Sequence, residues 1–352
     1  MPRAASGREA IAIIRPYVIA YEIRPSGSYA EGVSEPLIRR PDVLCLAVGG
    51  TLGEAWIRGL LAGVEASSDL DFRECEYFVG TSAGSIVAAT LAAGKRPEAG
   101  RRAEHAYAAA GAGATSEAPE PGRFAGLARW GAAAATPLAP LALASSSPGG
   151  AIVRAAALAA SPRPDRTLGG LAPHLDALEA RFDGRLRIVA VDRANGRRAV
   201  FGQPGAPKAS VRDAVLASCS VPWIFAPVRI GDREYVDGGM WSPTNLDVTP
   251  VGRDTEVLCL NPTASLHASR SAFGLLRAVS QGAAAAEALV LRGRGARVRI
   301  IAPDQAAARI MGANLMDPRR VEDVLDAAFG QGRALVGVAK SGQANPGRFQ
   351  SG

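Results

Sequence analysis

The sequence is poor in the residues that bind metals and form disulfides. Its 352 residues include three histidines and four cysteines, and no two of the cysteines form a CxxC pair. So few histidines argue against a histidine-built metal site. Three of the cysteines lie in apolar or small-residue stretches, which favours buried thiols in a reducing compartment. We therefore predict a protein that uses no metal and no other cofactor.

Long apolar runs are also missing. The early run IAIIRPYVIAY is interrupted by Arg15 and Pro16, and no small-residue cleavage site follows it. Such a segment is too short to span a bilayer, and it does not resemble a secretory leader, so we predict a cytoplasmic protein. The net charge of +7 comes largely from arginine. No dense basic run with interleaved aromatics accompanies it, so nucleic-acid binding is not predicted. The excess fits a GC-rich genome or contact with an anionic membrane.

The first half of the chain alternates buried strands with helices. Residues 43–50, VLCLAVGG, form an unbroken apolar run that is typical of a strand buried on both faces, and a helical pattern follows it over 54–67. A second strand is predicted over 75–80, then a TSAG turn and an alanine-rich helix over 85–94. This alternation predicts an α/β fold with a parallel sheet.

The second half continues the same pattern. Strands are predicted over 186–193 and 197–202, joined by an Asn195-Gly196 turn, and another ends in DREYVDGG. Two further strands and four helices complete the predicted fold: strands over 256–262 and 296–303, and helices over 174–182, 210–220, 272–293 and from Pro318 toward Gly330.

These elements define the predicted domain organisation. Residues 1–40 lack periodicity. They form either an irregular extension or a stretch that follows from a translation start assigned too far upstream, and the main domain covers 41–335. Within it, residues 95–165 are rich in Ala, Pro, Gly and Ser. They are interpreted either as a helical insertion that covers the sheet or as an apolar cap that meets a lipid surface. The polar tail over 336–352 is predicted to be flexible.

The sequence places a candidate nucleophile at Ser82. Gly80-Thr81-Ser82-Ala83-Gly84 matches G-x-S-x-G between a predicted strand and a predicted helix. A serine in such a sharp turn projects its hydroxyl, while the flanking glycines allow close backbone approach. The N-terminus of the following helix stabilises negative charge at the serine.

A serine nucleophile needs a base, and two candidates remain open. His105 lies in the predicted insertion and His174 at a helix start, where packing and capping roles are expected. His267 follows a strand and would reproduce the Ser-Asp-His chain order of α/β-hydrolases. Asp237 ends a strand before two glycines. It is either part of a hairpin turn or a carboxylate base whose proton affinity is raised by its surroundings. Spacing alone does not decide between them.

The glycine-rich stretch 49–53 follows the first strand. Its backbone N–H groups can converge on a developing oxyanion, and such a loop can also cradle a phosphate. The G-x-G-x-x-G spacing and the acidic residue of a dinucleotide site are missing, as is the G-x-x-x-x-G-K-[ST] pattern. An oxyanion loop is therefore favoured.

Together, the glycine loop, the G-x-S-x-G turn and the distant Asp-Gly-Gly resemble the patatin-like phospholipase family, especially its bacterial members. Supporting stretches are VGGTLGEAW, FVGTSAGSIVAA, ASCSVPWIFAPVRIGDREYVDGGMWSPTN and NLMDPRR, so the resemblance covers roughly residues 42–330. The family loop commonly reads G-G-G-x-[RK]-G, whereas this chain reads V-G-G-T-L-G and has no Arg or Lys there.

The resemblance implies a three-layer α/β/α sandwich with a mostly parallel sheet, and metal-free hydrolysis of lipid acyl esters by a Ser82–Asp237 dyad. It places the oxyanion hole at Gly49, Gly50, Thr51 and Gly53, and the substrate contacts at Ala83, Val221, Pro222, Gly238 and Asn245. The implied partner is a lipid ester, with peripheral membrane contact through 124–160. The alternatives are a lipid-binding relative with weak or no activity and a carboxylesterase that uses His267. The oligomeric state is not predicted.

Overall fold

The central element of the computed structural model is a single sheet. The structure describes residues 39–97, 148–265 and 272–341. Within these ranges the sheet has eight strands: β1 (Val43–Leu46), β2 (Tyr77–Thr81), β3 (Leu186–Asp192), β4 (Arg198–Phe201), β5 (Val228–Ile230), β6 (Arg233–Asp237), β7 (Glu256–Leu260) and β8 (Arg297–Ile301). Their order is β5-β6-β3-β2-β1-β7-β8, and β4 also pairs with β3.

The core of the sheet is parallel, as predicted. β1 pairs in parallel with β2 and with β7, β2 with β3, and β7 with β8. The antiparallel pairs lie on one side, where β4 and β6 pair with β3 and β5 pairs with β6. The predicted Asn195-Gly196 turn joins β3 to β4, and Gly196 adopts the positive φ of 65° that such a turn favours. Since β1 and β2 are parallel, the loops that follow them meet at one edge of the sheet.

Helices cover both faces of the sheet. They are α1 (Gly50–Glu65), α2 (Ala83–Ala92), α3 (Pro148–Ala159), α4 (Ala172–Leu178), α5 (Val211–Cys219), α6 (Ala272–Gly293), α7 (Gln305–Met311) and α8 (Val321–Ser341). Leu44 and Leu46 of β1 point into a core shared with α1, α2, α5 and α8. Val43 and Cys45 point to the other face, where they share a core with α6. This alternation of side chains gives the predicted three-layer α/β/α arrangement.

The expected end of the last helix near Gly330 was wrong. Helix α8 continues to Ser341, so the predicted flexible tail from 336 begins inside it, and residues 342–352 lie outside the described ranges. Helix α8 runs through both Gly330 and Gly332: no atom lies within 4 Å of an added Cβ at Gly330, whereas Gly332 lies where α1 and α8 pack closely. A Cβ atom at Gly332 would overlap the carbonyl oxygen of Leu60, and one at Gly59 would overlap that of Leu325. The glycines therefore allow close helix contact rather than ending the helix.

The predicted extension and most of the predicted cap lie outside the described residues, which begin at 39 and omit 98–147. The last part of the cap range forms α3. Leu158 of this helix packs against Val191 and Val236, and Arg154 donates a hydrogen bond to the carbonyl of Met240. Helix α3 is thus anchored beside the Asp-Gly-Gly turn that follows β6.

Candidate active site

The Ser82 turn connects β2 directly to α2. Ser82 has φ 51° and ψ −124°, an uncommon conformation for a residue other than glycine, and it is buried. The flanking glycines are needed for space: a Cβ atom at Gly84 would overlap the carbonyl oxygen of Leu46, and one at Gly80 would lie 2.5 Å from the Cα of Ser85. Residues with such a strained backbone conformation are common at functional sites.

A buried serine on another helix holds this turn in place. The backbone N–H of Ser82 donates to Oγ of Ser218 at 2.9 Å, and the Ser218 hydroxyl donates to the carbonyl of Val189 at 2.6 Å. The Ser85 hydroxyl donates to the carbonyl of Ser82 at 2.6 Å. Sequence reasoning missed Ser218. Its only signal is its place in the small-residue stretch ASCS at the end of α5.

Asp237 ends β6 and lies at the Ser82 side chain. Its carboxylate accepts a hydrogen bond from the N–H of Gly239 at 2.7 Å. Its own N–H donates to the carbonyl of Ser220, just after α5. Burial raises the pKa of Asp237 to about 7, although the nearby Ser82 side chain and the N–H of Gly239 oppose that rise. The structure therefore brings the two predicted dyad residues together, with the carboxyl able to exchange a proton near neutral pH.

The predicted oxyanion residues form the first turn of α1 rather than a loop before it. Gly49 caps the helix, and Gly50 takes a φ of 59°. The N–H of Leu52 donates to the carbonyl of Leu315, and that of Gly53 to Gly49. Among the described residues, no acceptor is found for the N–H groups of Gly50 and Thr51. These are the first N–H groups of a helix, where the dipole favours an anion.

The loop that follows β1 also touches the other two parts of the site. Gly84, at the start of α2, packs against the carbonyl of Ala47, and a Cβ atom at Gly239 would lie 2.9 Å from Cγ1 of Val48. Leu315 and Met316 pack against Gly50, since a Cβ atom at Gly50 would lie 2.8 Å from the Met316 sulfur and 3.0 Å from the Leu315 carbonyl oxygen. Leu315 and Met316 are contacts that sequence reasoning missed.

The predicted substrate contacts fall into two groups. Val221 is half-buried and Pro222 is buried, and both follow Ser220 directly beside Asp237. Gly238 and Asn245 are enclosed by protein: a Cβ atom at Gly238 would overlap the carbonyl of Val189, and Asn245 has no exposed surface. Ala83, the first residue of α2, is also fully buried.

The histidines do not join this arrangement within the described residues. His174 lies near the start of α4, where burial and the positive charges of Arg58 and Lys95 lower its pKa. His105 and His267 lie outside the described ranges. In the parts of the chain that the structure describes, no cluster of His, Cys, Asp and Glu could hold a metal ion. None of the helices there is both long and apolar enough to cross a membrane.

Comparisons with known proteins identify the family of this chain. A family model described as "Patatin-like phospholipase" matches residues 44–249. No curated protein matches this chain significantly. Among solved structures, VipD from Legionella pneumophila matches with 14% identity over 86% of this chain and 67% of that chain, at a TM-score of 0.41. Since the family model covers more than half of its 352 residues, this chain belongs to the patatin-like phospholipase family, a family of lipid hydrolases.

Proposed function

We propose that this protein hydrolyses lipid acyl esters with a Ser82–Asp237 dyad. The observation that carries the proposal is the buried Asp237 carboxyl group, which lies near the buried Ser82 side chain and whose pKa is raised to about 7 by burial. An aspartate in water is too weak a base for this task, because its ordinary pKa is 3.8. Burial gives it the proton affinity that histidine supplies in other serine hydrolases.

The reaction is a two-step acyl transfer. The Ser82 O–H bond breaks as its proton passes to Asp237, and the serine oxygen bonds to the ester carbonyl carbon. The carbonyl becomes an oxyanion that accepts hydrogen bonds from the N–H groups of Gly50 and Thr51. When the tetrahedral intermediate collapses, the carbon–oxygen bond to the alcohol breaks and the Asp237 proton goes to the leaving oxygen.

Deacylation repeats these steps with water as the nucleophile. Asp237 takes a proton from water as the water oxygen bonds to the acyl carbon, and the bond to Ser82 breaks. The proton held by Asp237 returns to the serine oxygen, and the fatty acid leaves. Every proton transfer uses the same carboxyl, so no other base is required.

A panel of phospholipid and neutral-lipid esters, assayed for released fatty acid, tests this function. Turnover is expected in the wild type and its loss in Ser82→Ala and Asp237→Asn. A wild type that sediments with lipid vesicles but releases no fatty acid would instead indicate a lipid-binding relative, the alternative favoured by a loop without Arg or Lys. Loss of turnover in His267→Ala would indicate the esterase alternative.

We further propose that α3 meets the lipid surface. Ile152 is 74% exposed and Val153 is 43% exposed, on a helix that Arg154 and Leu158 anchor beside the Asp-Gly-Gly turn. Exposed apolar side chains next to an active site favour contact with an interface. Ile152→Glu should reduce hydrolysis of vesicle lipids and leave hydrolysis of a soluble short-chain ester unchanged. Equal loss on both substrates would exclude this role.

A further inference from the structure

Asn245 connects the two turns that carry the dyad. Its side-chain Nδ2 donates to Oγ1 of Thr81 at 3.2 Å, to the carbonyl of Gly238 at 3.2 Å and to the carbonyl of Ser242 at 2.7 Å. Thr81 immediately precedes the nucleophile Ser82, and Gly238 immediately follows Asp237. One amide group therefore joins the strand end that holds the nucleophile to the strand end that holds the base.

The orientation of this amide is fixed by a charged partner. Oδ1 of Asn245 accepts a hydrogen bond from Arg198 at 3.2 Å, and the same guanidinium holds Asp247 through two bonds of 2.6 and 2.7 Å. Arginine can only donate, so it selects the amide oxygen and turns the nitrogen toward Thr81 and Gly238. The two-pronged pair with Asp247 keeps the guanidinium in place.

The backbone of Asn245 is held as firmly as its side chain. Asn245 takes a left-handed conformation, with φ 48° and ψ 35°, which asparagine tolerates better than most residues. Glu287 of α6 accepts hydrogen bonds from Thr244 Oγ1 and from the N–H of Leu246, the residues on either side. The Asn245 N–H itself donates to Oγ of Ser242 at 3.2 Å.

We propose that Asn245 is a positioning residue that sets the separation of the Ser82 hydroxyl from the Asp237 carboxylate. This inference rests on the proposed Ser82–Asp237 mechanism. Asn245 has no exposed surface and its polar atoms are occupied by protein, so it acts through Thr81 and Gly238 and does not touch substrate. The role differs from the substrate contact that the family resemblance implies for this position.

Two variants distinguish the contribution of the Asn245 side-chain amide from that of its left-handed backbone conformation. Asn245→Asp keeps the size and the left-handed tolerance but replaces the N–H donors with an oxygen facing two carbonyls. Asn245→Gly keeps the backbone conformation and removes the side chain. A displacement of about 1 Å between reacting groups can cost about 100-fold in rate. For both variants we expect kcat to fall by roughly that factor and KM to stay within about twofold.

The rate and extent of labelling by a fluorophosphonate distinguish positioning from simple loss of structure. If Asn245 positions the dyad, each variant labels Ser82 completely but slowly. If Asn245 only supports the fold, the folded fraction labels at the wild-type rate and the final extent falls. A raised KM with unchanged kcat would indicate substrate contact. The last two outcomes would overturn the proposal.

A double-mutant cycle tests the route through Thr81. Thr81→Val removes the acceptor of the Asn245 amide at nearly constant shape. If both residues act through the same contact, the combined loss in kcat is smaller than the product of the single losses, because contacting residues are not additive. Fully multiplicative losses would contradict the proposed route.

The matched control is Ser68→Ala, which removes a hydroxyl that donates to the carbonyl of Val64 at the far end of α1. It should leave kcat unchanged. If the wild type shows neither Ser82 labelling nor turnover, the proposed function fails. If the wild type is active and the Asn245 variants label at its rate, only the positioning role fails.

Discussion

Replacing Asp237 with asparagine should change the pH dependence of stability in a defined direction. Burial raises the pKa of the Asp237 carboxyl from its ordinary 3.8 to about 7 in the folded protein. Between these values the folded state holds a proton that the unfolded chain releases. The folded state therefore binds more protons in this range, and the wild-type free energy of unfolding falls as the pH rises through it. Asparagine cannot ionise, so the variant lacks this dependence.

The size of the effect follows from the pKa. At about 1.4 kcal/mol for each tenfold change in acidity, ionising the buried carboxyl costs the folded state about 4 kcal/mol. About 3 kcal/mol of this falls between roughly pH 4.5 and pH 8. The asparagine keeps an oxygen to accept the Gly239 N–H, and any amide N–H left without an acceptor adds a pH-independent cost of about 1–3 kcal/mol.

Urea unfolding of wild type and Asp237→Asn across this pH range measures the difference. We expect the variant to gain stability relative to the wild type as the pH rises, by about 3 kcal/mol in total. Asp192→Asn is the matched control. Asp192 is also buried, but it accepts hydrogen bonds from the N–H of Ala194 and pairs with Arg233, so its replacement should destabilise the fold. A pH-independent difference for Asp237→Asn would refute the raised pKa.

Three further predictions concern the rest of the site. In a pH profile, kcat/KM should rise with pH through about 7, because Asp237 must be ionised to accept a proton; a profile flat from pH 5 to 9 would contradict this. Ser218→Ala removes the acceptor of the Ser82 N–H and a donor to the Val189 carbonyl, so urea unfolding should show a loss of roughly 1–3 kcal/mol and steady-state kinetics a lower kcat. Unchanged values would count against the turn's dependence on Ser218. Gly50→Ala should lower kcat by more than its loss of stability accounts for. The added Cβ would lie 2.8 Å from the Met316 sulfur and shift the first turn of α1, which we propose as the oxyanion hole.

Gly94→Ala is the control for the Gly50 variant. Gly94 also has a positive φ, of 77°, but no atom lies within 4 Å of its added Cβ. It should lose about 1 kcal/mol of stability from the left-handed conformation alone and keep the wild-type kcat. Equal kcat in both variants would show that the first turn of α1 does not contribute to catalysis.

The sequence predicted the central strands of the sheet well, because β1 and β7 are short, bounded, largely apolar runs, whereas the three-residue strand β5 was missed. Residues 43–50 contain β1, residues 75–80 cover β2 except its last residue, Thr81, and the helix predicted over 272–293 is α6. Helix ends near glycine were harder. A glycine often marks the end of a helix, but α8 continues through Gly330 to Ser341, and Gly50 lies inside the first turn of α1.

The candidate site also has residues that the sequence predicted and contacts that it did not. Ser82 matches a local pattern at the end of β2, whereas Asp237 follows from the family resemblance. Strand β6 runs antiparallel to β3 and ends opposite Ala190, next to Val189, the partner of Thr81, so the two strand ends meet. The holding roles of Ser218 and Asn245 were not predictable, because their contacts join residues far apart in the chain; the family resemblance implied only a substrate contact for Asn245. Ser218 reaches Ser82 across 136 positions, and Asn245 reaches Thr81 across 164. Nothing local in sequence distinguishes such a serine or asparagine from an ordinary buried polar residue.

Covalent labelling of Ser82 is the most direct test of the proposed dyad. The wild type, treated with a fluorophosphonate and analysed by peptide mass spectrometry, should carry one adduct on Ser82. Labelling should disappear in Ser82→Ala and slow strongly in Asp237→Asn, while His267→Ala should label at the wild-type rate. An unlabelled Ser82 in an enzyme that turns over lipid esters, or undiminished labelling in Asp237→Asn, would contradict the account.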